Sequence, residues 1–366
     1  MLSPESGLGG RWALLRNCCG RRLAGPPRGR GVGAGAALAW RMATSLRSRF
    51  ERYVVPLLDP LLVPVTTAAA RHLKALRRLD LRSLPRNREA LARVGIWPVR
   101  DHYYEPLIDP RHLREPLDAV RDLPGLDLRE DAQLALLAAL RYGDELRALP
   151  TGSRPGEFRW DNGTYFWYDA QFLYSIVRHT RPKRILEIGS GNSTLVVRHA
   201  LAANRAADPA ATCVHTCVEP YEMPWLERCG AEVVRARVET LDPSYFAALD
   251  AGDILFVDSS HMVRPQGDVL FEILQILPRL RPGVLVHVHD IFTPRDYPHS
   301  WVFDKHLFWN EQYVLEAFLS MNDAFEVVAA LHHLAVSHPD ALKAALPLAP
   351  TTGETRPSGF WFRRRG

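Results

Sequence analysis

Short apolar runs alternate with amphipathic stretches over the second half of the chain, and this alternation predicts a sheet with helices between its strands. Seven runs have the apolar, β-branched character of strands. They cover residues 184–188, 213–218, 231–235, 253–258, 283–290, 325–328 and 359–362. Helical spacing separates several of them, as in residues 169–179 and 310–321. We therefore predict a doubly wound, mostly parallel, seven-stranded α/β sheet.

A glycine turn, residues 189–191, ends the first predicted strand. The two glycines lack a Cβ, so the backbone can turn tightly there and come close to a ligand. One of residues 192–194 can then cap the helix that follows, just as Asp169 is the expected N-cap of the preceding helix. A strand, a glycine turn and a helix N-terminus form a nucleotide-type site with backbone N–H groups directed at the ligand.

Two acidic residues belong to this predicted site. Glu187 lies inside the apolar strand, where an unpaired carboxylate is costly, so we expect it to have a partner. Glu219 ends the second strand, where a carboxylate can accept both hydroxyls of an adenosine ribose. Thr194 occupies the slot of the third glycine of the dinucleotide fingerprint. This argues against a pyrophosphate cofactor, and so against a nicotinamide-dependent oxidoreductase.

Three motifs together resemble the class I S-adenosylmethionine-dependent methyltransferases: EIGSGNST at residues 187–194, the acid Glu219, and DILFVDSSH at residues 253–261. The likeness is to bacterial small-molecule O-methyltransferases whose fourth strand ends in Val-Asp-x-x-His, and it covers roughly residues 156–365. It implies a Rossmann-like methyltransferase fold with an antiparallel last pair of strands, S-adenosylmethionine as cofactor, and a small-molecule or carbohydrate hydroxyl as acceptor. A binding protein that has kept the fold and lost the chemistry is the alternative. The cofactor contacts that the resemblance implies are Tyr165, Glu187, Gly189, Ser190, Gly191, Asn192, Ser193, Glu219, Val238 and Asp258. Core packing explains Tyr165 equally well.

Acidic residues also end the fourth and fifth predicted strands, at Asp258 and Asp290. If these strands are neighbours, as the resemblance implies, the two carboxylates lie roughly 5 Å apart. They then share a proton or hold a cation, and oxygen ligands suit Mg²⁺. Metal-dependent relatives carry an amide where this chain has Ile291 and a second carboxylate where it has His289. A metal site at Asp258 and Asp290 and a metal-free site therefore both stay open.

Histidines supply the candidate general bases. His261 and His289, beside Asp290, are the predicted catalytic residues because histidine titrates close to working pH. His261 could instead stabilise its turn, and His287 alternates with His289, so we expect at least one of that pair to be packed. Residues 292–312 form a long aromatic loop that we interpret as an acceptor-binding lid. Its expected acceptor contacts are Trp301, His306, Trp309 and Glu311.

The first 155 residues differ in character from the rest. Residues 1–49 are rich in Gly and Arg and are predicted to be a disordered extension, with Met42 as an alternative start. Their charge resembles that of a transit peptide, but they lack its high serine content and a clear amphipathic period. Residues 50–155 are predicted to form a helical accessory or lid region, and residues 156–366 the S-adenosylmethionine-binding domain. The basic helix at residues 66–79 is expected to have a solvated face, with a membrane surface or a partner as the alternative.

Composition narrows the function classes. The net charge is +5, and only four of the basic residues are lysines. Acidic residues are interspersed with the basic ones, so the sequence shows no basic patch of the kind that binds nucleic acids. Five cysteines form no metal pattern, and reduced thiols favour a cytoplasmic location. No apolar run reaches the roughly 20 residues that span a bilayer. A homo-oligomer remains open.

Overall fold

The computed structural model describes residues 53–165, 167–349 and 356–366. The predicted disordered extension and the alternative start at Met42 lie outside these residues. The chain divides into two compact units, Met1–His112 and Leu113–Gly366. Within the described ranges, no helix is both long and apolar enough to cross a membrane.

The described part of the first unit is helical. Helix α1 spans Val55–Arg78 and α2 spans Pro85–Val94. The predicted start of the first helix at Thr66 is wrong. The helix continues through Pro60 and Pro64, although each of these prolines removes one backbone donor.

The second unit is built on a seven-stranded sheet in the order β3-β2-β1-β4-β5-β7-β6. Strand β7 is antiparallel to both of its neighbours, and β1 to β5 are parallel. The sheet confirms the predicted fold, including the antiparallel pair at one edge. The strands are β1 Arg184–Ile188, β2 Val214–Val218, β3 Glu232–Val234, β4 Ile254–Val257, β5 Leu285–Val288, β6 Phe325–Ala330 and β7 Phe360–Arg364.

Helices of the second unit flank this sheet. They are α3 Glu130–Ala139, α4 Gly143–Ala148, α5 Trp167–Thr180, α6 Asn192–Ala207, α7 Asp268–Phe271, α8 Glu311–Leu319, α9 Leu331–Ser337 and α10 Pro339–Ala345. Residues 140–142 separate α3 from α4. After α7 the chain continues as a π turn and a 3₁₀ turn. The two helices after β6 were not predicted.

Alternating strand residues face opposite layers of the core, as the two-residue period of a strand requires. On β4, Ile254 and Phe256 pack in the layer that includes Phe172 of α5. Leu255 and Val257 pack in the other layer. Strand β4 is therefore buried on both faces, which explains its continuous apolar sequence.

Residues 113–155 pack on the sheet, so the predicted boundary between residues 155 and 156 lies inside the second unit. The guanidinium of Arg121 binds the carboxylate of Glu316, with Nη1 2.9 Å from Oε2. The side-chain oxygen of Gln133 accepts a hydrogen bond from the backbone N–H of Ala330 at 2.7 Å. Long-range bonds of this kind tie the segment to β6 and to α8.

Candidate active site at the carboxyl edge of the sheet

The turn after β1 requires one of its glycines for steric reasons. Gly189 has φ +78°, and a Cβ there would lie 1.9 Å from the carbonyl oxygen of Asp258. Gly191 is extended, and a Cβ there would meet only the Cε atom of Met223, at 3.5 Å. The first glycine therefore lets β1 and β4 end side by side, and the second has space around it.

The buried carboxylate of Glu187 has the partners that the sequence led us to expect. Its Oε2 accepts a hydrogen bond from the hydroxyl of Thr194 at 2.6 Å and lies 3.1 Å from Nε2 of His215. The Thr194 hydroxyl in turn accepts the backbone N–H of Gly191 at 3.1 Å. Glu187 is fully buried, and it stabilises the turn through its bond to Thr194.

Helix α6 begins directly after this turn, at Asn192, and of the three predicted capping residues it is Thr194 that bonds to the backbone of the turn. The Asn192 side chain donates to the hydroxyl of Thr164 at 2.7 Å, and Ser193 is buried. The helix N-terminus therefore lies at the edge of the sheet where a ligand with negative or polar groups is stabilised.

Glu219 lies at the end of β2, beside the glycine turn. One oxygen, Oε1, accepts the backbone N–H groups of Tyr221 and Glu222, both at 2.7 Å. The other, Oε2, lies 3.3 Å from the backbone nitrogen of Ser190. The backbone thus fixes this carboxylate next to the turn, which fits the ribose-binding position predicted for it.

Two other predicted cofactor contacts are buried side chains. Tyr165 is only 2% exposed, and its ring packs against Phe256, His287 and His289. Burial raises the pKa of its hydroxyl well above the ordinary value. Val238 is 4% exposed, in the turn after β3. The packing of Tyr165 agrees with the core role given above as the alternative to cofactor contact.

Asp258 and Asp290 meet beside His261, because β4 and β5 are neighbours as predicted. The Nε2 atom of His261 lies 3.4 Å from Oδ1 of Asp258 and 3.6 Å from Oδ2 of Asp290. From the other side, Nδ1 of His289 lies 3.8 Å from Asp258 and 3.5 Å from Asp290. Two imidazoles thus face the carboxylate pair, an arrangement that the sequence argument did not consider.

The other nitrogen of His261 is held by Glu311, the first residue of α8. Its Nδ1 lies 2.9 Å from Oε2 of Glu311, whose side chain is 2% exposed. We expected Glu311 to contact the acceptor, but it contacts His261 instead. The carbonyl of His261 accepts the backbone N–H of Asn310 at 3.1 Å, which ties the loop after β4 to the start of α8.

His261 and Asp290 both adopt left-handed backbone conformations, with φ +59° and +60°. Such conformations cost roughly 1–3 kcal/mol each for a residue with a side chain, and they concentrate at functional sites. The strained backbone and the side-chain contacts therefore both indicate that His261 and Asp290 belong to a functional site.

Electrostatics couples these groups strongly. Burial lowers the pKa of His261, but its bonds to Asp258 and Glu311 and the charge of Asp290 outweigh burial and raise the pKa well above the ordinary value. Burial raises the pKa of Asp258, yet the charge of His289 and the bond to His261 bring it far below the ordinary range. These shifts have one cause: the carboxylates stabilise the protonated form of His261, and the charge of the histidines stabilises the ionised form of Asp258.

The neighbouring histidines differ in their surroundings. Burial lowers the pKa of His289, but the charges of Asp290 and Asp258 raise it well above the ordinary value. Burial lowers the pKa of His287, which is enclosed between Phe256 and Trp361. His287 is therefore the packed member of the pair.

Asp169 is not an N-cap, because α5 begins at Trp167. Its carboxylate accepts the backbone N–H groups of Ser358 and Gly359, at 3.1 and 2.8 Å, and lies 3.7 Å from Nε2 of His289. The hydroxyl of Ser358 donates to Asp290 at 2.9 Å. Asp169 on α5 and Ser358 just before β7 thus support the site. An acid between apolar residues was the only signal for Asp169 in the sequence.

Aromatic residues of the predicted lid cover His261. The ring of Trp309 lies 4.2 Å from the His261 ring, and Trp301 lies 5.0 Å from Trp309. His306 is exposed and stacks on Phe308 instead. Two of the expected acceptor contacts, Trp301 and Trp309, therefore lie by the candidate site, and His306 does not contact it.

Comparison with known proteins agrees with this geometry. Residues 186–291 match the family model of a methyltransferase domain. An uncharacterised protein of Archaeoglobus fulgidus is 28% identical over 163 residues, which are 41% of this chain and 72% of that protein.

Two solved structures also align with the chain. An O-methyltransferase from Bacillus cereus, in complex with SAH, is 15% identical with a TM-score of 0.33, over 64% of this chain and 91% of that one. An O-methyltransferase of tomaymycin synthesis from Streptomyces achromogenes, in complex with SAM, is 17% identical with a TM-score of 0.32, over 63% and 89%. At these TM-scores neither structure bears on function. The family match and the order of the sheet confirm the predicted resemblance of the chain to the class I, S-adenosylmethionine-dependent methyltransferases.

Proposed function

We propose that this protein is an S-adenosylmethionine-dependent O-methyltransferase that acts on a hydroxyl of a small molecule or a sugar. The observation that carries the proposal is the side-by-side placement of two features in a methyltransferase domain. One is the glycine turn with Glu219, and the other is His261 with Asp258 and Asp290. The backbone contact between Gly189 and Asp258 joins them.

In this proposal the cofactor binds on the glycine turn. Glu219 accepts the ribose hydroxyls through Oε2, which has only one long backbone contact, and the open space at Gly191 lets the cofactor approach the backbone. Val238, Asp258 and the helix start at Asn192 and Ser193 line the rest of the cofactor site. A cofactor held by these residues would supply its methyl group at the carboxyl ends of β4 and β5.

His261 is the proposed general base. The acceptor oxygen forms a bond to the methyl carbon while the bond from that carbon to sulfur breaks, and its electron pair stays on sulfur. The neutral form of His261 accepts the hydroxyl proton at Nε2, and Glu311 stabilises the resulting imidazolium through Nδ1. Because the pKa of His261 is raised, this step requires a pH at which part of the protein carries neutral His261. Trp309 and Trp301 hold the acceptor over His261, so that much of the rate comes from orientation.

A divalent ion fits the same residues. Ligand atoms of Asp258, His261 and Asp290 lie within 4.8 Å of one another, and two carboxylates favour an ion such as Mg²⁺. Asp258 and Asp290 would hold it. When bound, such an ion lowers the pKa of the acceptor hydroxyl.

Calorimetric titration of the full chain tests the cofactor assignment. We expect saturable binding of S-adenosylmethionine and S-adenosylhomocysteine with one site per chain, and no binding of NAD⁺. Binding of NAD⁺ without S-adenosylmethionine would overturn the proposal in favour of an oxidoreductase. Tight binding of S-adenosylmethionine with no methyl transfer to any of a broad panel of sugar and phenolic acceptors would favour the non-catalytic alternative.

A further inference from the structure

Three metal-ligating side chains meet on another part of the second unit. They are Glu130, His333 and His338, and one ligand atom of each lies within 4.8 Å of the others. The Nε2 atom of His333 lies 2.7 Å from Oε1 of Glu130, and Nε2 of His338 lies 3.2 Å from Oε2. Each imidazole thus directs its Nε2 atom at the Glu130 carboxylate.

The backbone presents these side chains in fixed positions. Glu130 opens α3, His333 lies within α9, and His338 lies between α9 and α10. The N–H of His338 donates to the carbonyl of Leu334 at 2.9 Å, and its own carbonyl accepts the N–H of Leu342 at 3.1 Å. The junction that carries His338 is therefore fixed at both ends.

His333 also has a second partner that orients its ring. Its Nδ1 lies 3.4 Å from the hydroxyl of Ser337, one turn later on α9. Histidines that bind metals usually bond through their other ring nitrogen to a partner of this kind, which fixes the tautomer. The Ser337 contact favours Nε2 as the nitrogen that is free to bind an ion.

The three side chains differ in their exposure to solvent, and an ion can reach the cluster from its exposed side. The side chain of His333 is 7% exposed, that of His338 is 29% exposed, and that of Glu130 is 47% exposed. One ligand is thus embedded in the protein, and the opposite side faces water. The positive end of α3 explains an acid at position 130, but not two imidazoles converging on it.

We propose that Glu130, His333 and His338 bind a divalent transition-metal ion of the zinc class. Two imidazole nitrogens and one carboxylate oxygen form a ligand set that zinc accepts, whereas Mg²⁺ and Ca²⁺ prefer oxygen alone. Zinc lies roughly 2.0–2.2 Å from such ligands, so bound ligand atoms are about 3–4 Å apart. The present distances of 2.7 and 3.2 Å from Glu130 to the two Nε2 atoms are close to this geometry, and each imidazole binds the ion through Nε2.

The ion would cross-link α3 to the junction of α9 and α10, with its remaining position open to water. This site shares no residue with Glu219, Asp258, His261 or Asp290. The inference therefore stands independently of the proposed methyl transfer.

Zinc titration of the full chain tests the site, with thermal unfolding as a second readout. The wild type should bind zinc and gain thermal stability, because the ion binds the folded state. His338→Ala should lose one equivalent of zinc, and Ser337→Ala should bind that equivalent about ten-fold more weakly. His179→Ala, at an exposed histidine at the end of α5, is the matched control and should bind as the wild type does.

Two further variants make the result decisive. Glu130→Gln replaces His338→Ala if the latter fails to fold, and it should lose the same equivalent. Asp290→Asn should retain that equivalent, which separates the site from the carboxylate pair at the edge of the sheet. Zinc binding of equal stoichiometry and affinity in the wild type, His338→Ala and Glu130→Gln would overturn the proposal, as would no zinc binding by the wild type.

Discussion

Glu311 fixes His261 from a point 50 residues further along the chain, with Oε2 2.9 Å from Nδ1 of the imidazole. Because the carboxylate occupies Nδ1, the Nε2 atom faces Asp258 and Asp290. A carboxylate in this position orients a histidine and increases its basicity. The pair gives a physical basis for the proposed base.

The pKa of His261 should respond to Glu311 in a defined direction. The bond to Glu311 helps to raise that pKa above 6.5, so Glu311→Gln should lower it. Histidine resonances followed by NMR across pH would show this, with His261→Gln used for assignment. Glu316→Gln, on the same helix but bonded to Arg121 and Thr293, is the control and should leave His261 unchanged. An unchanged His261 titration in Glu311→Gln would contradict the proposed role of the pair.

The carboxylate pair gives a second prediction, about metal binding. In an EPR titration, we expect Mn²⁺ to bind the wild-type protein. Asp290→Asn should lose this binding, because a neutral amide holds the ion poorly. Affinity for S-adenosylhomocysteine should survive in the variant. If Mn²⁺ binds both proteins equally, Asp258 and Asp290 do not hold the ion. The imidazolium groups of His261 and His289 would then be the only cations that the site needs.

The two glycines of the turn should differ sharply on substitution. Gly189→Ala places a Cβ 1.9 Å from a backbone oxygen at positive φ, so it should destabilise the fold by several kcal/mol. Gly191→Ala meets no atom closer than 3.5 Å and should unfold at nearly the wild-type temperature, while it weakens cofactor binding. Thermal unfolding and calorimetry of the two variants test this. Equal loss of stability in both would contradict it.

His332 should make the free energy of unfolding depend on pH. Burial, with a smaller effect of the Arg295 charge, lowers its pKa from 6.5 to about 4. As pH falls below 6.5 the unfolded chain binds the proton first, so stability is lost between pH 6.5 and 4, by about 3 kcal/mol at most. His332→Gln should unfold with a shallower pH dependence over that range, by about 1.4 kcal/mol per pH unit. If the free energies of unfolding of both proteins, from denaturant titrations, change equally with pH, His332 does not contribute.

The sequence was sufficient for most of the sheet because β1, β2, β4 and β5 are largely buried, which leaves an apolar signature in each of these strands. It also brought Asp258 and Asp290 together, since both end neighbouring parallel strands. The pairing of His261 with Glu311 depends on how α8 docks after the long lid loop, and no local pattern encodes that. The role of Asp169 was missed for the same reason, because its partners at residues 358 and 359 are remote in the chain.

The sequence alone presents Asp258 and Asp290 as an isolated pair of carboxylates, and such a pair needs a proton or an ion. In the folded protein, the loop after β4 and strand β5 bring two imidazoles against the pair, and each is held by a further acid, Glu311 or Asp169. Charge balance at such a site depends on groups that only the fold brings together.

Calorimetric titration of Glu219→Gln with S-adenosylhomocysteine tests the central claim most directly. The loss of a charged acceptor for the ribose should weaken binding by roughly 1.5–3 kcal/mol, about ten-fold to a hundred-fold. Glu227→Gln, at an exposed acid that binds Arg235, is the control and should bind as the wild type does. The account predicts weak binding in the folded Glu219→Gln variant alone, and wild-type affinity in that variant would contradict it.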